Sequence, residues 1–363
     1  MKKNVPPISY GDYLQTNALL TLQNPRSAEF NVNAHDELLF IIIHQTYELW
    51  FKQILHELDS VMNLFASDMV HESDMGTVVA RLGRIVEIQR LLVDQISVLE
   101  TMTPLDFLDF RDLLYPASGF QSLQWRLVEN KLGLRSDRRL KYNSTPYHAH
   151  VPPAQEKLML QAETDPSLFD RVDAWLARAP FLSSKDFDFQ KEYGKAVRTM
   201  LENDKATVVR FAKTDEDKER NLKQIAEAET TFAAITDPAR YEELRKSGAF
   251  RLSHSALQAA LLILLYREQP LLSLPFQLLT KLQDIDELMT TWRYRHALMV
   301  HRMLGSKIGT GGSSGHQYLK ASTDQHRVFA DLFNLATFLI PRSELPPLPK
   351  SLSSRLSFQN QSV

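Results

Sequence analysis

Apolar residues recur every three to four positions over long stretches of this chain, which is the period of an amphipathic α-helix. From Asp36 to Phe65 the stripe runs through Phe40, Ile43, Tyr47, Trp50, Phe51, Ile54, Leu58 and Met62. Asn33 is the expected N-cap of that helix. Asp36 and Glu37 would put negative charge in its first turn, where unpaired N–H groups favour it. Residues 77–102 predict a second long helix. Thr103-Pro104 opens a third, with Pro at the first helical position, where its missing N–H costs nothing. Residues 119–132 predict a fourth, and residues 155–180 are again helical. Leu252 to Arg267 is almost continuously apolar and predicts a buried helix. A long helix over Leu279–Leu304 and a last one near residues 323–340 complete the pattern.

Between these stripes the composition changes. Residues 1–34 mix Pro, Asn, Tyr and Ser with a short patch of Leu19, Leu20 and Leu22, and read as an extended arm carrying one short helix. Residues 133–155 read as loop. Residues 185–250 are polar and highly charged, as in KTDEDKERNLK, and predict a solvated helical hairpin standing off the core. Residues 346–363 are rich in Pro and Ser and predict a flexible tail. No alternating strand of useful length and no internal repeat is found. The fold class expected is all-α. A helical core is formed by residues 35–184 and 251–345, with an N-terminal arm at 1–34 and the charged insertion at 185–250.

Composition narrows the function. At 363 residues the chain suits one large domain or two modest ones. A net charge of -2 gives no electrostatic footprint for nucleic acid. There is no cysteine, which removes disulfides, thiolate metal sites and Cys nucleophiles. The longest apolar runs, Leu38–Ile43 and Ala259–Tyr266, fall far short of the roughly 20 residues of a membrane span. The start, MKKNVPPISYGDY, carries no apolar run behind its lysines, so a cytoplasmic location and no membrane partner are expected.

Three segments carry candidate chemistry. In HDELLFIIIHQTYELW, residues 35–50, His44 shares a helix face with Phe40 and Phe51. It is either a core histidine hydrogen-bonded to a carbonyl or a group aimed at a ligand. In LDFLDFRDLLYPASGFQS, residues 105–122, Arg111 follows Phe107 and Phe110. An always-charged guanidinium there is snorkelling, salt-bridged to Asp112 or Glu129, or placed to grip a ligand carboxylate with two hydrogen bonds. In WRYRHALMVHRMLGSKIGTGGSSGHQYL, residues 292–319, His296 lies with Met289, Trp292, Met299 and Met303. That soft apolar surround suits a metal bound through one imidazole, and equally a core histidine. His301 falls off this face, so a two-His site on the helix is not expected.

The loop that follows holds Gly305, Gly309, Gly311, Gly312 and Gly315, five of the 12 glycines. Such a run either lets backbone N–H groups approach a ligand or simply connects two helices. It is not a phosphate loop, since no Gly-Lys-Ser/Thr follows, and a helix rather than a strand precedes it. His148 and His150 form an H-x-H without a nearby third ligand, which argues against a metal there. From the residues alone the picture is a helical protein with a cofactor held by one histidine and a polar substrate beside it.

YGDYLQ at 10–15, HDELLFIIIHQTYELWFKQILHELDSV at 35–61, FRDLLYPASGFQSLQWRLVENKLG at 110–133, REQPLLSLPFQLLT at 267–280 and the 292–319 segment together resemble the tryptophan 2,3-dioxygenase family. The resemblance runs from residue 8 to Arg342 and is nearer to the animal-type enzymes than to the shorter bacterial ones, the charged insertion being one such feature. It implies a haem-binding helical bundle that inserts O2 across the indole C2=C3 bond of L-tryptophan. The product would be N-formyl-L-kynurenine, the first step of tryptophan catabolism by the kynurenine pathway. It implies one haem b per subunit, ferrous when active, with O2 as co-substrate. Carried over by position, His296 becomes the axial ligand of the haem iron, with Trp292 beside the haem and Ser118 near a propionate. His44 faces the indole N–H, Phe40 and Phe107 wall the indole, Arg111 binds the carboxylate, and Thr310 contacts carboxylate and ammonium. Tyr10, Tyr13 and Leu14 belong to an arm that completes a neighbour's pocket in a homotetramer built as a dimer of dimers. Phe107 stands where some bacterial members carry Tyr, and Ile43 where many carry Gln. A haem enzyme for another indole, or a non-enzymatic O2 sensor, are the competing readings. Arg111 with Thr310 favours an amino-acid substrate with a free carboxylate.

Overall fold

The computed structural model describes residues 5–67, 70–140, 151–184, 186–305, 307 and 315–357. The arm carries three short helices, α1 (Tyr10–Leu14), α2 (Thr16–Leu19) and α3 (Arg26–Glu29), where a single one was expected. α4 (Glu37–Leu64), α5 (Glu72–Leu99) and α14 (Ser273–Leu304) are the three long elements, and α5 packs against both of the others. α6 (Pro104–Arg111) and α7 (Leu123–Leu132) close one side of this frame. α8 (Pro153–Thr164) and α9 (Leu168–Ala177) follow, then α10 (Phe189–Phe211), α11 (Asp215–Thr236), α12 (Pro238–Lys246) and the buried α13 (His254–Leu265). After α14 come α15 (Gly315–Gln325), α16 (Ala330–Asn334) and α17 (Lys350–Leu356). The only strands among the described residues, β1 (Ser183–Ser184) and β2 (Phe187–Asp188), pair in a tight antiparallel turn. The fold is all-α.

Local chemistry sets the boundaries. Thr103 and Asp106 form a reciprocal capping box that starts α6, and Pro104 occupies its first turn as expected. α4 begins at Glu37 rather than being capped by Asn33: Asp36 holds the cap position without a side-chain bond. The Glu37 carboxylate instead turns outward to α3, accepting from the N–H groups of Arg26 and Ser27 at 2.8 and 2.9 Å. The helix expected over 155–180 is two helices, because Pro166 interrupts it and Ser167 caps a new start with Asp170. Gly133 ends α7 at φ 120°, and an added Cβ would lie 2.8 Å from the Phe169 Cβ, so glycine is required there.

Three other expectations change. α14 starts at Ser273, six residues before Leu279, since Pro275 falls in a first turn that needs no N–H. The last helix near 323–340 is instead α15, then α16 and a 3-10 turn over Leu335–Phe338. The tail is not wholly frayed: α17 buries Leu352 and Leu356. In the charged insertion, α10 and α11 pair as a hairpin whose base enters the core through Phe189, Tyr193, Val197 and Ile235. Its far end exposes Val209 and Phe211. No helix is long and apolar enough to cross a membrane among the described residues.

Candidate active site

The helical spacing seen in the sequence delivers its side chains to one cavity. α4 contributes Phe40, His44, Tyr47 and Phe51, each one turn from the last, and α6 contributes Phe107. α14 contributes Trp292, His296, Met299 and Met303 from one face, and Ser118 lies on the rim. Phe40 meets Phe107 at 5.6 Å and Phe110 at 5.5 Å between ring centroids, so the α4–α6 side is an aromatic wall. Trp292 stands 4.5 Å from Trp125 and 6.0 Å from Tyr47.

His44 is tied to its own helix. Its Nδ1 lies 2.7 Å from the Phe40 carbonyl oxygen. A carbonyl only accepts, so Nδ1 carries the proton. Desolvation lowers the pKa of His44, against smaller opposing effects from the Phe40 carbonyl and Glu48. The ring is therefore neutral at pH 7 and its Nε2 is a bare acceptor. His44 is enclosed by protein but borders the cavity, so its surface stays accessible while its charged form is penalised. The phenyl ring of Phe40 lies against it at 4.1 Å.

His296 is neutral for the same leading reason. Burial, with a smaller push from His44, takes its pKa down to about 4. The ring is stacked on Trp292, one turn earlier, at 5.3 Å and nearly parallel at 8°. Its Nδ1 is buried with no hydrogen-bond partner. No group of three or more His, Asp or Glu that could hold a metal ion occurs among the described residues.

A charged wall adjoins the two histidines. Glu129 on α7 is 1% exposed and accepts from Arg126, Arg139 and Arg293 at 3.0, 2.6 and 2.9 Å. Burial alone would raise its pKa, but Arg139, Arg126 and Arg293 overcome this and hold the carboxyl well below the usual range. Arg126, Glu129 and Arg293 line the cavity. The sequence reading missed this wall. Arg126 and Glu129 are visible as an i,i+3 pair in QWRLVENK, but Arg293 arrives from 164 residues away.

Six expected site residues therefore meet at one cavity: Phe40, His44, Phe107, Ser118, Trp292 and His296. Arg111 does not line it. It sits half-buried at the end of α6, one turn beyond Phe107. The salt bridge to Glu129 that the sequence allowed is not formed, both carboxylate oxygens being engaged by other arginines. Tyr10, Tyr13 and Leu14 are 77%, 72% and 43% exposed and lie outside the cavity. Thr310, most of the glycine loop, His148 and His150 lie outside the described residues.

A family model described as tryptophan 2,3-dioxygenase matches residues 2–339. A tryptophan 2,3-dioxygenase of Bdellovibrio bacteriovorus is 55% identical over 97% of this chain and 99% of its own length. One of Alteromonas mediterranea is 48% identical over 99% and 100%, and one of Xenopus laevis 49% over 94% and 85%. The full-length form that the sequence reading associated with animals is thus shared with bacterial relatives.

Proposed function

The chain belongs to the tryptophan 2,3-dioxygenase family, and from that membership we propose that it is a haem-dependent enzyme converting L-tryptophan to N-formyl-L-kynurenine in the cytoplasm. The observation that carries the reading is a pair of neutral histidines, His44 and His296, bordering one aromatic cavity. The residues fit haem b: an unprotonated imidazole with a soft surround of Met299, Met303 and Trp292, and a rim that offers Ser118 and two arginines. His296 would hold the iron, and Ser118, Arg126 and Arg293 the propionates. When bound, ferrous haem supplies the iron at which O2 is activated for addition to the indole C2=C3 bond.

The chain's own residues then bind and orient. His44 Nε2 accepts the indole N–H. Phe40 and Phe107 flank the ring and exclude water. Arg111, extended from α6 beside Phe107, takes the carboxylate as a charge-assisted pair, and Thr310 contacts the carboxylate and ammonium. Ferrous protein is mixed anaerobically with L-tryptophan, then given 18O2, and the product is analysed by mass. N-formylkynurenine with two labelled oxygens is expected; a product with one or none overturns the reading.

The arm is assigned to a neighbour's cavity in a homotetramer. Its support is the exposure of Tyr10, Tyr13 and Leu14 on helices too short to stand alone. Deleting residues 1–22 should leave helix content intact and abolish efficient turnover. Mixing that truncation with full-length His296→Ala chains should restore activity where chains exchange. A truncated enzyme fully active as a monomer would remove the arm from the site.

A further inference from the structure

Glu37 is a buried carboxylate that the site as described does not use. It sits in the first turn of α4, is 1% exposed and does not line the cavity. Both of its oxygens face backbone donors of another element. Oε1 accepts the Arg26 N–H at 2.8 Å and Oε2 the Ser27 N–H at 2.9 Å. A carboxylate is expensive to bury unless its oxygens are bonded, and hydrogen bonds to an anion are strong ones. Two turns further along α4, Gln45 accepts from the Gln23 side chain at 2.7 Å and donates to the Leu22 carbonyl at 3.0 Å. α4 therefore grips the chain on both sides of Pro25. The root of the arm is fixed there, while Tyr10, Tyr13 and Leu14 farther out stand exposed.

α3, the element held by Glu37, packs against the 3-10 turn Asp112–Leu114, which continues directly from Arg111. Leu113 and Leu114 of that turn are half-buried against the core. α6 has 8 residues, and a helix this short takes its position from what packs on it rather than from its own backbone bonds. Its start is fixed by the Thr103–Asp106 capping box and its middle by the Phe107 ring against Phe40. Its end, which carries Arg111, runs into the turn that α3 backs. α3 has only 4 residues and depends in turn on the Glu37 carboxylate.

We infer that Glu37 is a positioning residue for substrate binding: by bracing α3 behind the turn that follows Arg111, it fixes where that guanidinium meets the tryptophan carboxylate. This rests on the role proposed above for Arg111. Glu37 acts through the backbone of its own chain, separately from the exposed arm assigned to a neighbour. A Gln in its place has nearly the same size but offers one acceptor oxygen to two N–H groups, and sets its own NH2 against one of them.

The test measures equilibrium binding of L-tryptophan and of tryptamine to the haem-loaded protein without O2. Tryptamine keeps the indole and the ammonium group and lacks the carboxylate. The wild type should bind L-tryptophan about tenfold or more tighter, the effect of at least one charge-assisted hydrogen bond. Arg111→Ala should erase that preference. Glu37→Gln should lose most of it while binding tryptamine as the wild type does. Arg26→Pro is a second variant. It deletes one donor to Glu37 at an exposed residue in the first position of α3, where proline suits a helix start. It should lose part of the preference, whereas Arg26→Ala, which keeps the N–H, should match the wild type. If Glu37→Gln does not fold, the two Arg26 variants decide, and equal preference in both overturns the inference. A Glu37→Gln protein that binds both ligands more weakly by the same factor makes Glu37 ordinary scaffold, or a residue that aims the arm, and overturns it too. So does a preference kept in Glu37→Gln but lost in Arg111→Ala. A wild type without the preference, or an Arg111→Ala variant that keeps it, overturns the Arg111 reading and this inference together.

Discussion

On α4 the imidazole of His44 is tethered by a carbonyl of its own helix; on α14 the imidazole of His296 has no polar tether at all. Both rings are neutral and both border the same cavity. His44 spends its Nδ1 proton on Phe40, which fixes its tautomer and leaves Nε2 as an acceptor. His296 is oriented by a face-to-face stack on Trp292 and by burial, while its Nδ1 finds no partner. A buried ring nitrogen without a hydrogen bond costs roughly 1–3 kcal/mol. A chain that bears this cost at one histidine and avoids it at the other has given the rings different work. The tethered one suits recognition of a donor, and the stacked one suits a bond that repays its desolvation, such as that to a metal.

Exchanging the two residues' fates is the largest expected effect. His296→Ala should lose most bound haem, or all turnover, while circular dichroism shows the helices intact. His44→Ala should keep its haem. If His296→Ala retains stoichiometric haem and full activity, the contrast between the two sides has been assigned the wrong way round.

Arg111 extends the α4–α6 side beyond the aromatic wall. Truncating a charge-assisted carboxylate pair in a dry pocket costs roughly 2–5 kcal/mol. Arg111→Ala should therefore cut kcat/KM for tryptophan by that amount and leave the haem spectrum of the substrate-free enzyme unchanged. A variant that sheds haem instead would make Arg111 part of the scaffold.

Acid separates the two histidines by their desolvation. In the unfolded chain a histidine titrates near 6.5, whereas folded His296 stays neutral down to about 4. Between those values the unfolded state binds the proton and the folded state does not, so stability falls as pH drops from 6.5 towards 4. At pH 5 a single histidine of this kind contributes at most on the order of 2 kcal/mol of that loss. His326, lowered to about 4 as well, acts in the same window. Denaturant unfolding of haem-free protein at pH 7 and pH 5 should show the drop. His296→Gln should flatten it more than His44→Gln, because burial is opposed at His44 by Phe40 and Glu48. Equal flattening would erase the difference between the rings.

The parts of the site readable in the sequence are those that share a helix face. Phe40, His44 and Phe51 lie one and two turns apart, as do Trp292, His296, Met299 and Met303, so periodicity alone placed them together. What periodicity does not carry is convergence between elements. Arg126, Arg139 and Arg293 meet at Glu129 only in the folded chain, where α14 brings Arg293 to a carboxylate carried by α7, and no period in the sequence links the three. Nor does composition reveal that Leu352 and Leu356, four apart in a Ser-rich tail, are enough to dock α17. Nor does the apolar stripe mark the start of α14 at Ser273: Pro275 falls in the helix's first turn, which has no N–H bond for it to break.

The smallest effect belongs to His44, and it decides whether that ring recognises or abstracts. A neutral acceptor that only receives an indole N–H contributes about 0.5–1.5 kcal/mol net, and about 1–3 if the donor is left unpaired. His44→Ala should thus remain measurably active, with weaker binding and slower turnover. Activity below detection at saturating tryptophan would favour an obligatory acid–base role. The comparison can be made sharper with the tryptophan analogue whose indole N–H is replaced by oxygen. That substrate offers no donor to Nε2. If His44 only recognises the N–H, the analogue should cost the wild type about as much as the substitution costs tryptophan, and His44→Ala should treat both substrates alike. Should the variant still lose activity towards the oxygen analogue, His44 acts on something other than that proton, and its tether to Phe40 serves a different end.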